Sequence, residues 1–196
     1  MEKIEIEEIY PLAEYEKIRD GFRQAIMEEK RKRRVQVGPY VSLTFENRDT
    51  ILFQIQEMLR AERIQDPAKV QEEIDVYNDL IPDEGELSAT LFIEITEQDK
   101  IKEILDRLIG IDRPDVVFFQ IGKKKVPALF EGGRSTEEKI SAVHYLRFKW
   151  NPTMIEAFRS EKENYLVVEH PNYKERTLLS DETKRALLED LDKTDE

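Results

Sequence analysis

The stretch from Val41 to Ile64, VSLTFENRDTILFQIQEMLRAERI, constrains the fold more than any other part of the sequence. Val41, Leu43 and Phe45 alternate with polar residues, which predicts a β-strand with one apolar face. Asn47 is placed to cap a helix that follows this strand. The apolar stripe of that helix consists of Ile51, Leu52, Ile55, Met58 and Leu59. The segment therefore predicts a strand, a polar junction and an amphipathic helix in direct succession.

Further helices are predicted from the residues that typically begin them. Pro11 begins one, Asp66-Pro67 another, and Ser180 the last. Proline suits the first turn of a helix because its missing N–H would be unpaired there in any case. Asp and Ser side chains accept hydrogen bonds from the free N–H groups of that turn. Asn151-Pro152 predicts a shorter helix on the same grounds.

Strand patterns are concentrated in the second half of the chain. Leu87–Ile95 alternates strictly, which predicts a half-buried strand and favours an antiparallel sheet covered on one side. Two hairpins are predicted, one turning at Gly122–Lys125 and one at His170–Tyr173, and Ser141–Trp150 predicts another strand. The sequence as a whole therefore predicts an α+β fold, in which a mostly antiparallel sheet is packed by amphipathic helices.

The length of 196 residues suits one domain with a sizeable core. We expect a single α+β domain over residues 1–196. It divides into a helix-rich part (1–110), a hairpin-rich part (111–179) and a C-terminal helix with an acidic tail (180–196).

The formal net charge is −12, from 31 basic and 43 acidic residues. Nucleic-acid binding and docking on anionic membranes both need a basic surface, so we expect neither. The N-terminus MEKIEIEEIY is acidic and no apolar run approaches about 18 residues, which argues against a signal peptide or a membrane span. We therefore expect a soluble, cytoplasmic protein.

The chain contains no cysteine and only two histidines, His144 and His170. The absence of cysteine excludes disulfides, thiolate nucleophiles, iron–sulfur ligation and Cys-type zinc sites. Two histidines cannot form a three-histidine metal site within one chain. No dinucleotide or P-loop fingerprint occurs, so we expect no cofactor and no metal site.

Glu57, Arg60 and His144 are the candidate catalytic residues. Glu57 lies on the polar face of the helix after Asn47, where a carboxylate can act as a base or a metal ligand. The same face also fits a purely structural role, in which Glu57 and Arg60 form an ion pair along the helix. His144 lies on the apolar face of its predicted strand, which fits a hydrogen-bonded core histidine as well as a general base.

Arg48, Arg134 and Ser135 are the candidate anion-binding residues. Arg48 follows the predicted helix cap, and the N–H groups of a helix N-terminus favour an anion. Arg134 and Ser135 belong to the run GGRST, a composition that can form a phosphate-binding nest. That run lacks P-loop spacing, so an ordinary loop that ends in a helix cap is the favoured interpretation.

Four passages together resemble a known family: PLAEYEKIR, RRVQVGPYVSLTFENRDTILFQIQEMLRAERI, LIPDEGELSATLFIEI and SAVHYLRF. The family is the bacterial domain-of-unknown-function family numbered three thousand five hundred and one. The similarity is strong from about Pro11 to Ile95, returns at Ser141 and weakens after Trp150. The family itself is uncharacterised, so the resemblance implies no residue roles. It does imply an accessory role in redox or oxidative-stress metabolism.

Two functions of different classes follow from these observations. The leading hypothesis is an accessory or interaction protein that docks on a partner, or on a second copy, through its polar helix and second-half hairpins. The alternative is a small-molecule-binding enzyme with a site formed by Glu57, Arg60 and His144, although no catalytic motif is recognisable. A third hypothesis, regulation through the basic run Lys30–Arg34, ranks last.

Overall fold

The structure, a computed structural model, describes residues 1–132 and 140–193. Within these residues the chain forms six α-helices and eight β-strands. The helices are α1 (Leu12–Arg33), α2 (Arg48–Glu62), α3 (Pro67–Asn78), α4 (Ile101–Arg107), α5 (Pro152–Ser160) and α6 (Asp181–Leu191). The strands are β1 (Arg34–Val37), β2 (Val41–Glu46), β3 (Glu86–Ile93), β4 (Val117–Ile121), β5 (Lys124–Phe130), β6 (Val143–Lys149), β7 (Asn164–His170) and β8 (Tyr173–Leu178).

The described strands form one sheet in the order β1-β2-β3-β6-β5-β4-β7-β8. Every neighbouring pair in that order is antiparallel. The predicted α+β fold with an antiparallel sheet and packed helices is therefore confirmed.

The sheet curls until its two edge strands meet. The Tyr173 hydroxyl on β8 donates to Val37 O at 2.5 Å and accepts from Tyr40 N at 3.0 Å. The Thr177 hydroxyl, also on β8, donates to Gln36 O at 2.6 Å. Side chains of β8 thus satisfy backbone groups at the edge of β1, which would otherwise be a free edge open to unwanted pairing.

The inner face of the curled sheet encloses the main hydrophobic core. All eight strands contribute to it, together with α4, α5 and α6. Its centre is a cluster of aromatic rings with centroids 4.7–6.0 Å apart. The rings belong to Phe45, Phe119, Phe148, Trp150 and Phe158.

The first three helices form a layer on the outer side of the sheet, in which α1 packs on β2 and α2 packs against α1 and α3. A second apolar cluster is buried mainly between α2, α3 and the N-terminal residue Ile4. The prediction that Leu87–Ile95 is a half-buried strand covered on one side was wrong. Ser88 and Thr90 point away from the inner core, yet they are only 3% and 2% exposed. Their burial follows from the helical layer, which covers the polar face of β3 as the core covers its apolar face.

Local start signals placed α1, α2, α3, α5 and α6 correctly. The Asn47 side chain accepts from Thr50 N at 2.9 Å and caps α2 as predicted. Asp66, Asn151 and Ser180 likewise accept from backbone N–H groups at the starts of α3, α5 and α6. The Asn47 cap sets where α2 begins, and so which side chains of α2 face α1.

Candidate functional site

Glu57 on α2 faces α1 and is held there by three hydrogen bonds. Arg19 donates from Nε to Oε1 and from Nη2 to Oε2, both at 2.8 Å. The Tyr15 hydroxyl donates to Oε1 at 2.9 Å. The hydrogen bond from Arg19 lowers the pKa of Glu57. The pKa of Tyr15 is raised, mainly by burial and in addition by its hydrogen bond to Glu57. Glu57 is therefore an ionised carboxylate that joins two helices, and its oxygens are already occupied.

Arg60 lies one turn further along α2 and is paired in the same way. Its Nε donates to Glu16 Oε1 on α1 at 2.7 Å. The side chains are 35% and 52% exposed, so solvent screens the pair. Arg60 therefore extends the contact between α1 and α2 at the surface.

His144 lies on the opposite face of the sheet from α2. It pairs with Leu91, and directly opposed residues of an antiparallel pair share a face, so its ring lies with the inner core. Its Nε2 donates to Ser141 O at 2.8 Å, and its ring packs on the edge of Phe130. The structure thus brings Glu57 and Arg60 to the same helix pair but does not bring His144 to them.

Arg48 lies at the start of α2, where the sequence predicts an anion site. Its Nη2 donates to both carboxylate oxygens of Glu8, at 2.6 and 2.5 Å. This hydrogen bonding lowers the pKa of Glu8 and raises that of Arg48. The chain's own carboxylate therefore occupies the place predicted for an anion. The other two anion candidates, Arg134 and Ser135, lie outside the described residues.

A buried polar network joins the sheet to the base of α2. Glu46 is 3% exposed and accepts from the hydroxyls of Thr50 at 2.6 Å and Thr90 at 2.8 Å. Beside it, Asn47 Nδ2 donates to Glu29 Oε1 on α1 at 3.2 Å. The polar density that marks this segment in the sequence therefore connects three elements of the fold.

The outer face of the sheet at β4, β5, β7 and β8 carries a group of exposed side chains. We call it the hairpin face, because it is built from the two second-half hairpins. The strand register places its exposed side chains on one side. They are Lys125, Pro127, Leu129, Glu169, Lys174, Arg176 and Leu178.

Two cations of the hairpin face lie over aromatic rings. Lys125 Nζ is 3.9 Å from the centroid of the Phe118 ring, and Arg176 Cζ is 4.7 Å from that of Tyr165. Glu169 forms an ion pair with Lys125, in which Oε2 and Nζ are 3.6 Å apart. A groove of about 490 Å³ runs between these side chains. Sequence analysis predicted docking through the second-half hairpins but did not identify these residues, because only the register of β4 with β5 and β7, and of β7 with β8, brings Lys125 and Arg176 to one surface.

Two further features bear on the kind of site. Within residues 1–132 and 140–193, no three His, Asp or Glu side chains are grouped so that they could hold a metal ion. No helix in the same residues is both long enough and apolar enough to cross a membrane.

The comparison with known proteins gives a family and a fold. The family model described as "Protein of unknown function (DUF3501)" matches residues 3–191, and the chain belongs to this family. The chain is also similar to a solved crystal structure, that of a novel protein of unknown function from Burkholderia pseudomallei K96243. The two are 32% identical with a TM-score of 0.89, over 97% of this chain and 100% of the other. No curated protein matches the chain.

Proposed function

We propose that this chain is an interaction protein that uses the hairpin face to bind an acidic surface of a partner protein. The observation that carries the proposal is the gathering of Lys125, Lys174 and Arg176 on one open sheet face of a chain whose net charge is −12. Two carboxylates, Glu169 and Glu175, line the same groove, so these three cations leave it with a small positive excess. Complementary charge guides the encounter of two proteins and sets their register.

The side chains of this face are already arranged for contact. Lys125 and Arg176 lie over Phe118 and Tyr165, and a cation held on a ring loses less side-chain freedom when a partner binds. Leu129 and Leu178, 48% and 50% exposed, add apolar surface at the margins. Apolar contacts surrounded by charged groups are usual in interfaces between proteins that associate and separate.

The geometry favours docking over the enzyme alternative for two reasons. Glu57 and Arg60 face α1, on the other side of the sheet from His144. The oxygens of Glu57 are also taken up by Arg19 and Tyr15. The family resemblance implies in addition that the partner belongs to redox or oxidative-stress metabolism; this stays a prediction, which identification of the partner tests.

The experiment begins with a partner purified from the native host and then produced separately. Its affinity is measured by calorimetry for the wild type, for Lys174→Glu/Arg176→Glu and for the control Lys17→Glu/Lys69→Glu. The two variants change the net charge equally, but the control residues lie on α1 and α3. We expect the hairpin-face variant to bind at least about tenfold more weakly, and the control to stay within about threefold. Equal affinity of the two variants would overturn the proposal.

A second copy of the chain is the competing occupant of this face. Light scattering coupled to gel filtration decides between the two occupants. A monomeric wild type supports a partner of a different kind. A wild-type dimer that Lys174→Glu/Arg176→Glu dissociates assigns the face to self-association and overturns the proposal of an acidic partner protein.

A further inference from the structure

The groove of the hairpin face is elongated and follows β4 and β7. Its main part, of about 490 Å³, has Phe118 and Val167 as its floor, and these residues are 2% and 8% exposed. Gln120 and Arg176 line this part and also line a second depression, of about 520 Å³, that extends to residues 160–163. Because the two depressions share these residues, they join into one track along the strands.

The groove is narrow because its two walls lean inward. Lys125 on β5 and Arg176 on β8 lie three strand spacings apart, which is about 14 Å between their backbones. Lys125 Nζ lies over Phe118 of β4, and Arg176 Cζ lies over Tyr165 of β7. An α-helix with its side chains is about 10–12 Å across and does not fit between these cationic groups. An extended segment that lies along the strands does fit.

Arg176 supplies an anion-binding group where the two depressions meet. Its guanidinium makes no hydrogen bond and no ion pair in the part of the chain that the structure describes. Glu175, the preceding residue, lies on the other side of β8, where its Cγ packs against Gly38. Glu169 is engaged by Lys125. The edge of the Arg176 guanidinium therefore presents its N–H groups to an incoming carboxylate, which such a fork binds at two points.

The spacing of Tyr165 and Val167 sets the spacing of the groups that a ligand needs. These two residues are two positions apart on β7, so their side chains share one face of the sheet. The Arg176 guanidinium lies over Tyr165, and the apolar floor at Val167 begins one repeat, about 7 Å, further along. An extended segment beside β7 has the same repeat. Two of its side chains that are two positions apart can therefore reach both places at once.

We propose that the hairpin face binds an extended segment of the partner in which an acidic residue and a large apolar residue are two positions apart. The carboxylate accepts two hydrogen bonds from Arg176, and the apolar side chain covers Val167 and Phe118. This rests on the proposed function, which supplies an acidic partner protein. It adds the conformation of the segment that is recognised and the spacing of its two recognised side chains.

The test uses short peptides, acetylated and amidated at their ends, on the purified full chain, with binding followed by NMR of the backbone amides. GSETWSG has Glu and Trp two positions apart. GSTEWSG and GESTWSG have the same composition, but Glu is one or three positions from Trp. We expect GSETWSG to bind with a Kd of about 1 mM or less, and its two isomers at least about fivefold more weakly. Equal affinity of the three would overturn the proposal, and so would tightest binding of GESTWSG, whose spacing suits a helix.

Variants connect the binding to the named residues. Arg176→Lys keeps the charge but removes the two-point contact, so it should weaken GSETWSG about three- to tenfold and leave GSQTWSG, which has no carboxylate, unchanged. Val167→Thr should weaken GSETWSG more than GSETASG, which lacks the Trp. The matched control is Arg23→Lys, on an exposed arginine of α1. Thermal unfolding verifies that each variant is folded. Equal losses for GSETWSG and GSQTWSG in Arg176→Lys contradict the assignment.

Failure of this proposal and failure of the proposed function give different results. If Lys174→Glu/Arg176→Glu weakens the partner but the three isomeric peptides bind equally, the hairpin face binds the partner and only the extended segment is wrong. If the same double variant leaves the affinity of the partner unchanged, the proposed function is wrong, and the segment proposed for that partner is wrong with it.

Discussion

Arg33 at the end of α1 and Asp190 in α6 form a two-point ion pair that is almost completely buried. The guanidinium donates from Nη1 to Oδ2 and from Nη2 to Oδ1, the second at 3.1 Å. The side chains are 3% and 0% exposed. Arg33 Nε also donates to Glu29 at 2.5 Å, so the pair joins α6 to the polar network at the base of α2.

Loss of one partner should destabilise the protein far more than loss of both. Arg33→Met leaves the Asp190 carboxylate buried without its cation, and we expect it to cost about 3–5 kcal/mol. Arg33→Met/Asp190→Leu removes both charges and should cost clearly less. Urea unfolding gives the three free energies. The control is Arg31→Met, whose pair with Glu182 joins the same helices at the surface and should be worth less than about 1 kcal/mol. A double variant as unstable as the single one would contradict this account.

Substitution of two glycines by alanine should change the stability of the protein in opposite directions. Gly38, in the turn between β1 and β2, has φ +70°, and a Cβ there would collide with Glu175 and with the Tyr173 hydroxyl. We expect Gly38→Ala to cost about 2 kcal/mol or more, because it strains the turn and disturbs the closure of the sheet. Gly21 lies inside α1, and nothing lies within 4 Å of the position that an alanine methyl group would take, so Gly21→Ala should stabilise by about 0.5–1 kcal/mol. Thermal unfolding of both variants measures their changes in stability. If both variants became more stable, or both less stable, the prediction would be refuted.

The fold class and the helix starts could be predicted because they depend on nearby residues. Asn47 caps α2 through a group only three residues away, and the same is true of Asn151 and Ser180. The alternation in β3 correctly identified a strand. Its second covered face was missed, because the helices that bury Ser88 and Thr90 come from a different part of the chain.

The sites were predicted less well because they depend on pairing across long distances. Glu57 was identified as notable, but its partner Arg19 lies in another helix, and only the packed pair reveals a joint between helices. The hairpin face needs the register of three strand pairs before Lys125 and Arg176 share a surface.

Two asparagine caps offer a comparison of buried and exposed capping. Asn47 is 4% exposed and makes a second bond to Glu29, whereas Asn151 is exposed and only accepts from Met154 N at 2.9 Å. We expect Asn47→Ala to cost about 1–2 kcal/mol and Asn151→Ala about 0.5–1 kcal/mol. Urea unfolding of the two variants checks the order. A larger loss in Asn151→Ala would show that the bond from Asn47 to Glu29 adds no stability.

The ion pair between Glu57 and Arg19 should make stability depend on acid pH. Because Arg19 lowers the pKa of Glu57 in the folded state, the pair stabilises the protein above the unfolded pKa of about 4.3. That stability is lost as pH falls through the lower, folded pKa. Glu57→Gln should therefore cost about 1–2 kcal/mol at pH 7 and nearly nothing once Glu57 is protonated in both the folded and the unfolded wild type. Urea unfolding from pH 7 down to about pH 2.5 measures the difference.

Glu62→Gln, on the same helix but without an ion pair in residues 1–132 and 140–193, is the control and should leave stability unchanged throughout. A loss in Glu57→Gln that stays constant with pH would mean that packing of this side chain, and not its charge, joins α1 to α2.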